Sequence, residues 1–502
     1  MTTGHKIVSN VFYYFLDFLT LVLGGYVFWV LMGKMLTPDQ YGILTAVLAM
    51  FYVLMTIALT GFPESIPKFT SELIKRGNTS AAGGMIRHSI KVSLTLGLVL
   101  SAALYFASGW LSQEFYGNSS MTAPLQIIAA LLLAANIGNT TKAILQGLQN
   151  FRAMFIADII GNIGKIVAAI CFVMLGWAAL GAAAAWVLFF ALTSVICGWA
   201  VLRTRLPTGS FDKRTFWRFS AISTVSQLSY YLVQQAGVLV LALLANASVV
   251  GYFGVAALFG QILTFVPSVL SGALFPSLSE LWVNRKDDVR KLLMAALKIS
   301  TLAVLPFVAL FTLASRPLIE IIYSKSYISA APIFPAYMLG SFLFGLVLLM
   351  MVALYAMSRP LARLAIIFSS AVLNIVLCFL LIPTLGAIGA AFAFLTSQIV
   401  VLIAAVFAVN QSITMAFSRR SLWAIPAVAL FGTVLLLHNL TTSLWLKAGV
   451  AAVALVVYVS VLLATKAVGR RELVLLKYFP DKFGFGMIKK IATSIVGLFE
   501  KF

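Results

Sequence analysis

An all-α, polytopic membrane fold with about 14 transmembrane helices is what this sequence predicts, on three grounds. The 502 residues are 62% hydrophobic and only 10% charged, with a mean hydropathy of +1.04, far from the balance of a soluble chain. Lys and Arg gather in every second gap between the apolar runs. The two halves of the chain repeat one another at an offset of roughly 208–210 residues.

In chain order, spans are expected at 10–33, 41–62, 86–111, 122–146, 154–175, 179–202, 218–245, 249–275, 292–314, 331–357, 361–383, 387–410, 422–440 and 444–465. The first run follows a short polar start, is long enough to cross a bilayer and lacks a small-residue cleavage site. It therefore reads as a retained helix rather than a signal peptide. An even number of spans places both termini on one side. The gaps on that side collect Lys6 before span 1; Lys68, Lys75, Arg76, Arg87 and Lys91 after span 2; and Lys142 and Arg152 after span 4. They go on to collect Arg203, Arg205, Lys213, Arg214 and Arg218; Arg285, Lys286, Arg290, Lys291 and Lys298; Arg359 and Arg363; Arg419 and Arg420; and the C-terminal tail. The opposite gaps hold Lys34, Arg316, Lys325 and Lys447, and Lys165 stays inside span 5. By the positive-inside rule both termini are cytoplasmic and the protein is a multi-pass component of the cell membrane. The net charge of +21 is then a consequence of topology. A nucleic-acid binder would need a soluble domain, and none of the gaps can hold one. Cys171, Cys197 and Cys378 fall within apolar runs, which argues against disulfides and thiolate metal clusters.

The repeat divides the chain. Thr37-Pro38-Asp39-Gln40-Tyr41-Gly42 leads into span 2 as Asn246-Ala247-Ser248-Val249-Val250-Gly251 leads into span 8. Pro67 precedes Ser71-Glu72-Leu73 as Pro276 precedes Ser279-Glu280-Leu281, and Leu175-Gly176 with Gly181-Ala182-Ala183 recurs as Leu385-Gly386 with Gly389-Ala390-Ala391. An offset of six spans gives both copies the same orientation, the arrangement of parallel-repeat transporters with a substrate path between two lobes. The expected domains are an N-terminal lobe at 1–205, a C-terminal lobe at 206–415, two extra spans at 416–466 and a basic cytoplasmic tail at 467–502. In the tail, Ile488, Ile491, Ile495 and Leu498 share one helical side, so the segment reads either as an amphipathic helix on the anionic leaflet or as a frayed end.

The same segments resemble the polysaccharide (oligosaccharide-lipid) flippases of the multidrug/oligosaccharidyl-lipid/polysaccharide exporter superfamily. In the first half the likeness rests on Tyr41-Gly42, Gly61-Phe62-Pro63-Glu64-Ser65-Ile66-Pro67-Lys68-Phe69, Gln146-Gly147-Leu148-Gln149-Asn150-Phe151 and Gly181-Ala182-Ala183-Ala184. In the second it rests on Val250-Gly251-Tyr252, Leu274-Phe275-Pro276-Ser277-Leu278-Ser279 and Tyr327-Ile328-Ser329-Ala330-Ala331-Pro332. Lys68 fits the basic residue that commonly follows the glycine closing span 2 in that family, whereas Glu64 and Pro67 depart from its usual pattern. The resemblance implies a transporter that flips a lipid-linked oligosaccharide or polysaccharide precursor from the cytoplasmic to the outer face by alternating access. The same architecture also admits a cation-coupled drug antiporter, although drug exporters of the superfamily usually have only twelve spans.

Ionisable residues inside spans are costly and mark function by default. Asp17, Asp158 and Lys165 are well inside. Asp158, Asn162 and Lys165 share one face of span 5, and two readings of it stand: a hydrated cavity lining that holds a polar headgroup, or a network between helices of one lobe. Asp17 on span 1 is accompanied by Tyr13 and Tyr14, and span 7 carries Thr224, Gln227, Tyr231 and Gln234 along one stripe. Sugars suit such a lining, because their hydroxyls need partners once out of water. Lys68, Arg87, Arg285 and Arg290 are candidates for a cationic cytoplasmic mouth that gathers a lipid phosphate, against the plainer reading of positive-inside loops. Asp17 or Asp158 could take up a coupling proton, with H+ and Na+ both open as coupling ions.

Enzyme signatures are missing. Gly164-Lys165 is followed by Ile166 without the glycine spacing of a P-loop, and His5, His88 and His438 are far apart. A membrane glycosyltransferase or polymer ligase would need a catalytic outward loop, and the outward gaps are short and poor in charge. A scaffold would not need Asp17, Asp158 and Lys165. The expected partners are a lipid-linked glycan, a coupling ion and membrane lipids, with no nucleic acid and no cofactor, for a chain that acts as a monomer.

Overall fold

The computed structural model describes residues 3–413 apart from 116 and 118, together with 446, 449, 450, 453, 456 and 458. The span expected at 422–440, most of that at 444–465, and the tail at 467–502 lie outside the described residues. The helices are α1 (Thr3–Met35), α2 (Pro38–Leu59), α3 (Phe62–Lys75), α4 (Thr79–Trp110), α5 (Thr122–Gly147), α6 (Phe151–Phe172), α7 (Ala178–Leu202), α8 (Lys213–Leu244), α9 (Ala247–Asn284), α10 (Lys286–Leu313), α11 (Ser315–Ile322), α12 (Phe334–Ala356) and α13 (Pro360–Asn410). Among the described residues there is no strand, and ten helical runs are long and apolar enough to cross a membrane. Two of these, Phe151–Leu202 and Pro360–Asn410, hold 52 and 51 residues, each long enough for two crossings. Each is broken by backbone outside the helical region, at Gly176 (φ 88°) and Gly386 (φ 57°). The spans expected at 154–175 and 179–202, and at 361–383 and 387–410, are the arms of these two runs. Ala178, with φ 46° and ψ −129°, shares the backbone conformation of Gly386 at φ 57° and ψ −135°.

Local sequence explains the ends. Thr37 caps α2: its hydroxyl accepts from Gln40 N–H, the Gln40 amide oxygen accepts from Thr37 N–H, and Pro38 fills the first helical position. Thr60 and Gly61 are both left-handed and stop α2 before the amphipathic α3 begins at Phe62.

The repeat is visible in hydrogen bonds. Where α5 turns into α6, Leu148, Gln149 and Asn150 N–H donate to the carbonyls of Ile144, Gln146 and Leu145. Where α12 turns into α13, Met357, Ser358 and Arg359 donate in the same pattern to Ala353, Tyr355 and Leu354, and Gln149 (φ 58°) and Ser358 (φ 59°) are both left-handed. The turns entering α2 and α9 match likewise: Leu36→Met32 with Tyr41→Thr37, and Ala245→Leu241 with Val250→Asn246.

The chain forms two compact units, Met1–Gly254 with Cys378–Ala387, and Val255–Leu377 with the chain from Ile388 onward. By sequence α8 opens the second repeat, yet it packs on α2 and α3 within the first unit. In that unit α1 lies along α6, α6 and α7 form a hairpin, and α5 packs on α4 and α7. Phe62, Ile66, Met85, Ile144, Met154, Cys197 and Phe216 form a buried core there. The second unit has its own core, including Leu278, Val289, Leu293, Leu349 and Leu354.

The first turns of α2 and α9 meet inside the first unit. A Cβ on Gly42 would run into the carbonyl of Ala247, and one on Gly251 would run into the carbonyl of Pro38. Beside them Ser248 Oγ donates to Asp39 Oδ1 at 2.5 Å, between residues 209 positions apart. Gly42 and Gly251, and Pro38 and Ala247, are separated by that same interval. Glycine is needed at both positions because the backbones themselves are in contact.

Candidate functional site

The polar residues predicted inside spans converge in the first unit. The face of α6 bearing Asp158, Asn162 and Lys165 is buried throughout, with relative exposures of 0%, 4% and 2%. Gly161 and Gly164 beside this face let α7 approach, through Phe189, Thr193 and Leu192. Asn162 Nδ2 donates to the Asp158 carbonyl at 3.0 Å, and its side chain sits against Gly24 of α1, where a Cβ would overlap it. Asp17, on the same helix as Gly24, is 4% exposed and lies beside Asp158, close enough for the two carboxyl groups to interact directly.

Asp158 has a partner that was not expected. Lys142 of α5 forms an ion pair with its Oδ2. By sequence Lys142 counts as one more basic residue at the cytoplasmic end of a span. The structure turns it inward, its side chain only 16% exposed. Lys165 takes a different environment. Its Nζ stands over three aromatic rings, Trp186 at 4.2 Å, Phe189 at 5.0 Å and Phe28 at 5.3 Å. The set of Asp17, Asp158, Lys142 and Lys165 is formally neutral. That balance matters in a low-dielectric interior, where an isolated charge costs several kcal/mol.

The α8 stripe adjoins this cluster through aromatic rings. Trp186, which covers Lys165, meets Tyr52 edge-on with centroids 6.4 Å apart, and Tyr52 stacks on Tyr231 at 5.9 Å with planes 3° apart. One helical turn before Tyr231, Gln227 Nε2 donates to Glu64 Oε1 at 2.8 Å, while Gln234 Nε2 donates to the Tyr230 hydroxyl at 3.0 Å. Thr224 bonds back to the Ser220 carbonyl at 2.8 Å and stays with its own helix. On α1, Tyr13 packs against Phe155 and Tyr14 against Phe151, with Tyr14 48% exposed. The structure therefore brings Asp17, Asp158, Asn162 and Lys165 together and joins them to Tyr231 and Gln227. Lys142, Tyr52 and Trp186 complete the arrangement without having been singled out, and so does Glu64, which the sequence marked only as a departure from the family pattern. An acidic residue on the first turn of α3, beside two prolines, was the available signal for Glu64.

The four cations expected at the mouth are divided between the two units. Lys68 Nζ lies over Phe219 at 3.9 Å and Phe69 at 4.9 Å, and Arg87 Nη1 donates to Thr208 Oγ1 at 3.3 Å. Both belong to the first unit, whereas in the second Arg285 immediately precedes α10 and Arg290 lies in its first turns. Among the described residues no group of three or more His, Cys, Asp or Glu side chains gathers as a metal site. Asn136, a lone polar residue in α5, is tied to α4: Ser93 Oγ donates to its carbonyl oxygens, its Nδ2 donates to the Ser93 carbonyl at 2.9 Å, and Thr140 donates to Ser93 Oγ at 2.9 Å.

Comparison with known proteins agrees with this architecture. An uncharacterized membrane protein of Methanocaldococcus jannaschii is 23% identical over 459 residues, covering 86% of this chain and 90% of that protein. Among solved structures, the lipid II flippase MurJ in an inward closed conformation superposes with a TM-score of 0.68 at 15% identity, over 92% of this chain and 100% of that one. A multidrug resistance MATE family transporter of the MOP superfamily, inward-facing, gives 0.65 at 16% identity, over 79% of this chain and 96% of that one. These likenesses show that the chain shares its fold with these two transporters. Residues 31–332, more than half of the sequence, match a polysaccharide biosynthesis protein family, and the chain belongs to it.

Proposed function

We propose that this protein flips a lipid-linked oligosaccharide or polysaccharide precursor across the cell membrane, from the cytoplasmic to the outer face, by alternating access. The observation that carries the reading is the continuous run of polar and aromatic side chains inside an apolar unit. It passes from Asp17, Asp158 and Lys142, through Lys165 and Trp186, to Tyr52, Tyr231 and Gln227. Amides supply partners for sugar hydroxyls, and rings supply flat apolar faces for the sugar ring. Family membership points the same way, and the fold likeness to a lipid II flippase extends over nearly the whole chain. A drug antiporter is the second reading, favoured by the likeness to MATE transporters, which spans less of the chain.

Movement is coupled to an ion gradient at Asp17. Asp158 is held in an ion pair with Lys142, and that pairing favours Asp17 as the carboxyl group that exchanges a cation or proton. Tyr13, Tyr14, Gln227, Tyr231 and Gln234 line the path of the glycan, and Lys68, Arg87, Arg285 and Arg290 flank the cytoplasmic entrance. The termini are cytoplasmic, and the chain works as a monomer.

Reconstitution into liposomes with a fluorescent lipid-linked oligosaccharide, read by a membrane-impermeant quencher, tests this. Flipping that rises with protein and falls in Tyr231→Ala supports the reading. Efflux of cationic dyes without any lipid translocation would replace it with the antiporter.

A further inference from the structure

A segment between α7 and α8, residues 203–212, is fastened to the start of α4. Gly209 N–H donates to the Ser80 carbonyl at 2.8 Å. Gly83 and Gly84 leave room for it: a Cβ on either would overlap the carbonyl of Pro207 or Gly209. Arg87 bonds to Thr208, and Leu206 and Phe211 pack against the buried core containing Phe216. This connection is a docked strap.

The strap has an electrostatic consequence. It brings Lys213, the first residue of α8, within electrostatic range of His88 on α4, which Lys91 of the same helix also reaches. Arg87 lies beside His88 and one turn before Lys91, and Arg87, Lys91 and Lys213 are exposed. The neighbouring acid offsets one of these three charges and leaves two in excess. Asp212 caps α8, accepting from Thr215 Oγ1 at 2.6 Å and Thr215 N–H at 3.1 Å, and those bonds hold its carboxyl below the usual range. His88 is held between Phe211 and Trp217, with ring centroids 5.6 and 5.9 Å away, and its Nε2 accepts from Trp217 Nε1 at 3.2 Å. A neutral imidazole that accepts at Nε2 carries its proton on Nδ1, which leaves a donor. Cations, a fixed donor and two aromatic rings thus gather where the candidate span Thr79–Glu114 begins, on the basic side of the molecule.

We infer that Arg87, His88, Lys91 and Lys213 bind the phosphate of an anionic glycerophospholipid in the adjoining leaflet. The cations and the imidazole donor meet the phosphate oxygens, and Trp217 and Phe211 sit at headgroup depth, where aromatic residues are favoured. A soluble phosphate would use the cations but not the rings.

Native mass spectrometry of the purified full chain, titrated with phosphatidylglycerol, phosphatidylethanolamine or inorganic phosphate, tests the assignment. Wild type should retain phosphatidylglycerol in preference to phosphatidylethanolamine. The pair Lys91→Ala/Lys213→Ala should lose roughly tenfold in apparent affinity, from the removal of two interfacial cations. Lys75→Ala/Lys291→Ala removes the same charge from exposed positions on the basic side and should retain wild-type affinity. Equal losses in the two pairs, no preference for the anionic lipid, or full displacement by excess inorganic phosphate would overturn the assignment.

Discussion

Replacing Lys142 by Met tests whether the ion pair with Asp158 holds the first unit together. Methionine keeps the length and apolar stem of the side chain and removes only its charge. Asp158 has no exposed side-chain surface, so the substitution leaves a carboxylate stranded in the interior. Breaking a buried pair in this way costs about 3–5 kcal/mol. Asp158→Asn alone should cost less, about 1–3 kcal/mol, because the Lys142 side chain is 16% exposed and can turn its ammonium toward water. The double variant removes both charges and should recover much of the loss, giving a coupling of about 2–3 kcal/mol. Unfolding in mixed detergent–SDS micelles, followed by circular dichroism, gives the four free energies of the cycle. Additivity within about 0.5 kcal/mol would show that the two side chains do not stabilise one another, and the picture of a compensated interior cluster would fail.

Gly42→Ala and Gly251→Ala should each destabilise by about 1–3 kcal/mol and by similar amounts, since each pushes a methyl group into a backbone carbonyl; thermal unfolding of the two variants checks this. Ser93→Ala removes the bridge between Asn136 and Thr140 and should cost about 1 kcal/mol in the same micelle assay. Ala178→Gly should stabilise by about 1 kcal/mol, because φ 46° with ψ −129° suits glycine and strains alanine; an unchanged melting temperature would contradict it. Asp17→Asn should flatten the pH dependence of flipping in liposomes while leaving the lipid substrate bound, and retention of the wild-type pH profile would remove Asp17 from the coupling step.

The repeat and the helical class were legible because they rest on patterns that survive without tertiary information. Thr37 to Gly42 and Asn246 to Gly251 carry the same turn signals, and the hydrogen bonds at Leu36 and Ala245 follow the same ladder. The polar face of α6 was legible for a similar reason, since helical spacing alone puts Asp158, Asn162 and Lys165 on one side. The partners were not legible. A charge count treats every lysine near a helix end as facing water, so Lys142 was indistinguishable from Arg152 until α5 and α6 were seen side by side. The aromatic surroundings of Lys165 draw Phe28 from α1 and Trp186 and Phe189 from α7, and no local pattern relates α1 to α7. The placement of α8 against α2 and α3 was hidden because the repeat assigns it to the other half of the sequence.

The meeting of Gly42 with Gly251 has the form of an isologous dimer contact written into one polypeptide. In a self-complementary interface a patch touches its own copy, so residue i meets j wherever j meets i. The first turns of α2 and α9 obey that rule: Pro38 faces Gly251 as Ala247 faces Gly42. The pairing is not strictly symmetric: Asp39 accepts a hydrogen bond from Ser248, where exact self-complementarity would set one residue type against its twin. A larger side chain at either glycine wedges the same contact from opposite sides.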